Sequence, residues 1–201
     1  TEARVALTLR LLGGLTTDEI ARAFLATEST IAQRIARAKR TLAEKHVPFE
    51  VPPGEELATR VSSVLEVIYL IFNEGYTATA GSDWMRPGLC DDALRLGRIL
   101  AELMPEEPEV HALVALMEIQ ASRAAARVDA SGAPVLLLDQ NRALWDGLLI
   151  RRGLTALARA ETLGGEDVGL YTLQAAIAAC QPRARAADER DWPGIVSLYG
   201  R

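Results

Sequence analysis

The 201 residues hold only two cysteines and two histidines, and aromatics make up 5% of the chain. Cys90 and Cys180 are too few and too distant for a disulfide framework, which leaves the reducing cytoplasm as the expected compartment. His46 and His111 stand far apart, and neither a Ser/His/Asp spacing nor a glycine-rich phosphate loop is present. No apolar run approaches the roughly 20 residues of a membrane span, and no signal peptide is expected. These absences argue against an enzyme, a cofactor, a metal site and a membrane protein. The chain opens on Thr1 partway into an apolar helix and stops soon after the helical stretch Trp192–Tyr199, so a fragment of a longer protein is expected.

Charge of one sign is scarce in the right place. Net charge is −5, yet residues 1–48 carry eight Lys/Arg against five Asp/Glu, or +3, while the remaining 153 carry fourteen against twenty-two, or −8. A basic head on an acidic body suits a protein whose head alone faces nucleic acid.

The head has explicit punctuation. Gly13 and Gly14 end a first apolar helix, since glycine takes the left-handed cap without strain. Thr16 and Glu19 have capping-box spacing, and Ile20, Ala21 and Phe24 give the short helix that follows its buried face. A bend at Leu25–Glu28 leads into a second helix that Thr27 can cap. There Ile31, Ile35, Ala38 and Leu42 form one inward stripe. Ser29, Gln33 and Arg40 lie roughly opposite, with Thr30, Arg34 and Arg37 on one flank. A solvated basic face would explain this pattern equally well on periodicity alone. The two-turn first helix cannot stand without its neighbour, and the bend is very short, which favours a DNA-reading helix-turn-helix.

At this point a family resemblance enters. Leu15, Glu19, Ile20 and Ala21, with Thr30-Ile31-Ala32-Gln33-Arg34-Ile35 and Arg37-Ala38-Lys39, resemble the −35-reading region of bacterial sigma factors of the sigma-70 type. Leu25 and Ala26 depart from it, standing where those proteins often have a glycine. Four further segments carry the resemblance over essentially the whole chain: Pro48–Pro52, Tyr69–Tyr76, Ala115–Met117 and Gln174–Ala179. The chain resembles extracytoplasmic-function sigma factors with a long helical C-terminal extension. In Asp139-Gln140-Asn141-Arg142 that group more often has Asp at the third place. The resemblance implies binding of promoter DNA at the −35 element and of core RNA polymerase, with Ser29, Thr30, Gln33, Arg34, Arg37, Lys39 and Arg40 facing DNA. It also implies a −10-reading domain before Thr1.

The expected architecture is all-α: a helix-turn-helix over residues 1–46, a proline-bearing linker over 47–55 and a helical extension over 56–201. Pro48, Pro52, Pro53 and Gly54 cannot continue a helix. Leu57, Val61, Val64, Leu65, Ile68 and Phe72 form a stripe expected deep in the second domain. Further helices are expected at Leu89–Met104, Glu106–Arg127, Gln140–Leu163 (with a break at Gly147 or Gly153), Gly169–Gln181 and Trp192–Tyr199. Val135–Leu138 is expected as extended core chain.

Outside the head, three groups have two readings each. Asn73, Glu74, Tyr76, Trp84 and Arg86 form a candidate partner or ligand surface, or else a helix end closed by Gly75 with aromatics pinning the loop. Arg123, Arg127, Arg142 and Trp145 are ion pairs and stacking between helices, or a ligand pocket. Cys90, Asp91, Asp92 and His111 lack ligand spacing, and carboxylates in a first helical turn need no metal to explain them. A helix-turn-helix regulator with a ligand-sensing helical domain is the alternative function. An enzyme with a DNA-binding appendage is a third.

Overall fold

The computed structural model describes residues 2–11, 13–45, 54–77, 85–166, 168–184 and 189–200. The fold is all-α. Its helices are α1 (Glu2–Leu11), α2 (Thr17–Ala23), α3 (Glu28–Lys45), α4 (Gly54–Tyr76), α5 (Pro87–Leu103), α6 (Pro108–Ala121), α7 (Gly147–Gly164), α8 (Leu170–Arg183) and α9 (Trp192–Tyr199). Two short 3-10 turns, Ala124–Ala126 and Arg142–Leu144, lie between α6 and α7. The chain divides into two compact units, Thr1–Ala93 and Leu94–Arg201.

In the first unit α1 packs on α2, α3 and α4, and α2 packs on α3 and α4. Leu9, Leu15, Ile20 and Ile31 are fully enclosed, and Leu65, Ile68, Ile71 and Phe72 of α4 join them in the buried set. The α4 stripe, expected deep in the second domain, therefore belongs to the head. An apolar face states that it will be buried, not against which neighbour. Of the expected linker, residues 47–53 lie outside the described residues, and residues 54 and 55 already belong to α4. Gly14 closes α1 at φ +67°, the left-handed conformation that glycine adopts at no cost.

The second unit is organised on α6, whose residues Val110–Ile119 are all buried. A helix apolar on every side has to be surrounded, and α7 and α8 both pack along it. Gly153 is one of the two positions where a break is expected. It instead sits inside the helix, where an added Cβ would stand 2.7 Å from Ile119 Cγ1 and 3.1 Å from the Ala115 carbonyl. The actual helix start is Gly147, capped by Asp146, whose carboxylate accepts from the Leu148 and Leu149 amides at 2.8 and 3.1 Å.

The N-terminus of α8 is capped from outside. Gly169 has no side chain to offer, and Glu109 of α6 accepts from Tyr171 N (2.8 Å), Thr172 N (3.0 Å) and Thr172 Oγ1 (2.7 Å). Val135–Leu138 is not core chain: Leu136 and Leu138 are exposed, and the Asp139 amide turns back to the Leu136 carbonyl at 2.9 Å. With the single bridge Val128–Pro134 as the only pairing among the described residues, that segment has no sheet to enter.

Candidate nucleic-acid interface

The interface is built on α2 and α3. Glu19 N donates to Thr16 Oγ1 at 3.2 Å, and Thr16 N donates to Glu19 Oε2 at 2.7 Å, so the box spacing is realised as a reciprocal cap. The turn closes with Ala26 N on the Ala21 carbonyl at 2.8 Å and Leu25 N on the Arg22 carbonyl at 3.0 Å. Leu25 takes φ +49° there, the left-handed conformation a glycine would supply without strain. Its side chain is 97% exposed.

Ile31 and Ile35 anchor α3 to the head, and Ala38 is half-buried. Leu42, the fourth member of the expected stripe, is 45% exposed, so the anchored part of α3 is its N-terminal half. Of the residues expected to face DNA, Ser29, Gln33, Arg37, Lys39 and Arg40 are exposed, and Thr30 and Arg34 are half-buried. They share one helix, with Lys39 four residues on from Ile35 and so beside the anchored stripe, and the others across the face away from it. Ser29 and Thr30 also join Thr27 in a hydroxyl cluster at the helix start, with Oγ–Oγ separations from Thr27 of 3.0 and 2.8 Å. Thr30 N donates to Thr27 Oγ1 at 3.3 Å, as expected of that cap.

The second candidate group is drawn inward. Glu74 is 5% exposed, Tyr76 stacks on Phe72 with ring centroids 5.5 Å apart, and Thr77 N donates to the Asn73 carbonyl at 2.9 Å. Arg86 N donates to the Gly75 carbonyl at 2.7 Å, bringing the Arg86 guanidinium onto Glu19 Oε1 and to 3.8 Å from Glu74 Oε1. Trp84 lies outside the described residues. An added Cβ on Gly75 would meet Cys90 N at 2.6 Å, so the glycine is there for close approach of α4 and α5.

Glu19 thus serves twice, as the α2 cap and as a buried partner of an arginine 67 residues along the chain. The spacing rule finds the first role. Nothing local signals the second. Cys90, Asp91 and Asp92 sit in the first turns of α5, and among the described residues no group of three or more His, Cys, Asp or Glu is placed to hold a metal ion.

A short capped helix, a tight turn and an anchored helix with a basic outer face define a helix-turn-helix of the sigma-70 kind, and residues 1–42 match sigma-70, region 4. Residues 60–161 match the Family of unknown function (DUF6596), and the chain belongs to that family. It is 45% identical over 196 residues to an uncharacterized protein of Rhizobium meliloti (strain 1021), an alignment that covers 98% of this chain and 46% of that protein. The chain therefore spans less than half the length of this curated relative. No solved structure matches.

Proposed function

We propose that the chain is part of a bacterial sigma factor of the extracytoplasmic-function type, carrying a helical regulatory extension and no enzymatic activity. The observation that carries this reading is α3: anchored by Ile31 and Ile35, it turns Gln33, Arg37, Lys39 and Arg40 outward from a unit that matches sigma-70, region 4. The helix enters the major groove of the −35 element. Gln33 and Arg34 bond base edges, Arg37 serves bases or phosphates, and Thr30, Lys39 and Arg40 hold phosphates, with Ser29 at the helix start nearest the backbone. The same head binds core RNA polymerase, and the site of action is the cytoplasm. Among the described residues no helix is long and apolar enough to cross a membrane.

A bidentate base contact is worth about 1–3 kcal/mol of discrimination, whereas a phosphate contact is blind to sequence. Arg34→Ala is expected to narrow the gap between matched and scrambled −35 duplexes. Arg40→Ala is expected to weaken both alike. The measurement is duplex affinity at fixed salt, with the full-length factor and core polymerase. Equal losses for both variants on both duplexes would overturn the assignment, and sequence-specific binding that gains nothing from polymerase would favour a regulator that is not a sigma factor.

A further inference from the structure

The second unit gathers buried polar atoms where the 3-10 turn Arg142–Leu144 meets the C-terminal end of α8. Arg142 Nη2 donates to the Gln181 carbonyl at 3.0 Å and to the Ala184 carbonyl, and the guanidinium carbon lies 4.6 Å over the Trp145 ring. This half of the fork has an evident purpose. The last carbonyls of a helix carry partial negative charge, and a cation caps them favourably.

The other half does not. Arg142 Nη1 is buried without a hydrogen-bond partner, and so is the indole Nε1 of Trp145, a residue only 9% exposed. The side-chain oxygen of Gln181, whose main chain Arg142 caps, is a third such atom. Each unmet buried donor is costly, and a guanidinium whose partners are two main-chain carbonyls and an aromatic face has no counter-charge among them. Two unmet N–H donors, one of them cationic, call for a compact anionic acceptor.

We propose that this joint binds a small oxyanion, a carboxylate or phosphate group, held by Arg142 Nη1 and Trp145 Nε1. Arg142 works both sides of the joint: one prong fixes the end of α8, the other takes the ligand. Occupancy by an anion would thus stiffen the contact between the 3-10 turn and α8, giving the second unit a chemical input. The inference does not depend on the DNA-binding reading of the head.

The test is an NMR titration of the full 15N-labelled chain. Its three tryptophans, Trp84, Trp145 and Trp192, give separate indole signals, and a Trp145→Phe spectrum identifies the relevant one. Formate and acetate form one arm, inorganic phosphate the other, and chloride at matched ionic strength the control. The Trp145 signal is expected to move saturably in at least one arm while Trp192 does not follow. The arm that saturates at lower concentration names the class of oxyanion. Arg142→Lys, which keeps the cap charge but loses the fork, is expected to weaken that binding by roughly tenfold. No saturable movement in either arm, or equal movement with chloride, overturns the proposal, as does undiminished binding by a folded Arg142→Lys chain.

Discussion

At the scale of single residues, Leu25 is the point where sequence and backbone disagree. A leucine at φ +49° bears about 1 kcal/mol of steric strain, and its 97% exposed side chain recovers nothing by packing. Asparagine tolerates this conformation better and, unlike glycine, does not loosen the unfolded chain. Leu25→Asn is therefore expected to stabilise the head by about 0.5–1 kcal/mol, seen as a higher urea midpoint at unchanged slope; a lower midpoint would refute the strain argument. Asp129 gives a pH signature at the same scale. Its carboxylate accepts from Ser131 Oγ (2.6 Å), Ser131 N (2.8 Å) and Ala133 N (3.0 Å), and the Ser131 hydroxyl foremost, then these amides, hold its pKa below the ordinary 3.8. A depressed carboxylate contributes order that is complete above the unfolded value and lost as pH falls through the folded one. The turn at Asp129–Ala133 is thus expected to hold at pH 5 and to loosen only below about 3.8, followed by the Asp129 carboxyl carbon in an NMR titration; a midpoint above the ordinary value would contradict it. Leu25 and Asn141 show what the sequence can and cannot disclose. The missing glycine at the bend was visible in the sequence, but the sign of φ was not. Asn141 was visible as a departure from the usual Asp, and its carboxamide oxygen takes the Ala143 amide at 3.0 Å, the bond an aspartate would accept.

At the scale of elements, the α2 box and the C-terminal end of α4 meet through Arg86. Glu19 and Glu74 have side chains 9% and 4% exposed and share this one guanidinium, which is itself 36% exposed. Breaking a fully buried pair costs about 3–5 kcal/mol; partial exposure of Arg86 screens the interaction, so about 1–3 kcal/mol is expected for Arg86→Met. If the cost is that of stranded carboxylate charge, Glu19→Gln in the Arg86→Met background should restore part of it, and the double variant should lose less than the sum of the singles in urea melts. Additive losses would show that the ion pair contributes nothing beyond packing. Helix existence was legible at this scale: α9 runs Trp192–Tyr199 as its apolar spacing predicts, and α5 and α8 differ from expectation by at most two residues at either end. What periodicity could not disclose was partnership. The α4 stripe fits either unit by pattern, and only the fit of Ile71 against Gly13 and the reach of Arg86 to Glu19 settle that it belongs to the head.

At the scale of the whole molecule, the charge split would govern how a chain with the proposed DNA-reading head meets a duplex. With a net charge of −5, a duplex far from the surface is repelled overall, and the basic outer face of α3 opposes that repulsion. Distance decides which effect wins: fields from exposed charges reach about 30 Å at 0.01 M salt but only about 8 Å at 0.15 M. Glu102, Glu161 and Glu166 are exposed acids of the second unit, and replacing all three by Gln changes the net charge from −5 to −2. This triple variant is expected to bind scrambled duplex several-fold faster near 0.01 M salt and indistinguishably from the parent near 0.15 M. Lys39→Ala should behave in the opposite manner, losing affinity at both salts and flattening the dependence of log K on log salt by about 1, because on the proposed reading it removes a phosphate contact. Stopped-flow association and equilibrium anisotropy at the two salt concentrations separate these outcomes. An association rate for the triple variant that stays raised at 0.15 M would mean that the gain is not screened by salt, and net charge would then not be its cause.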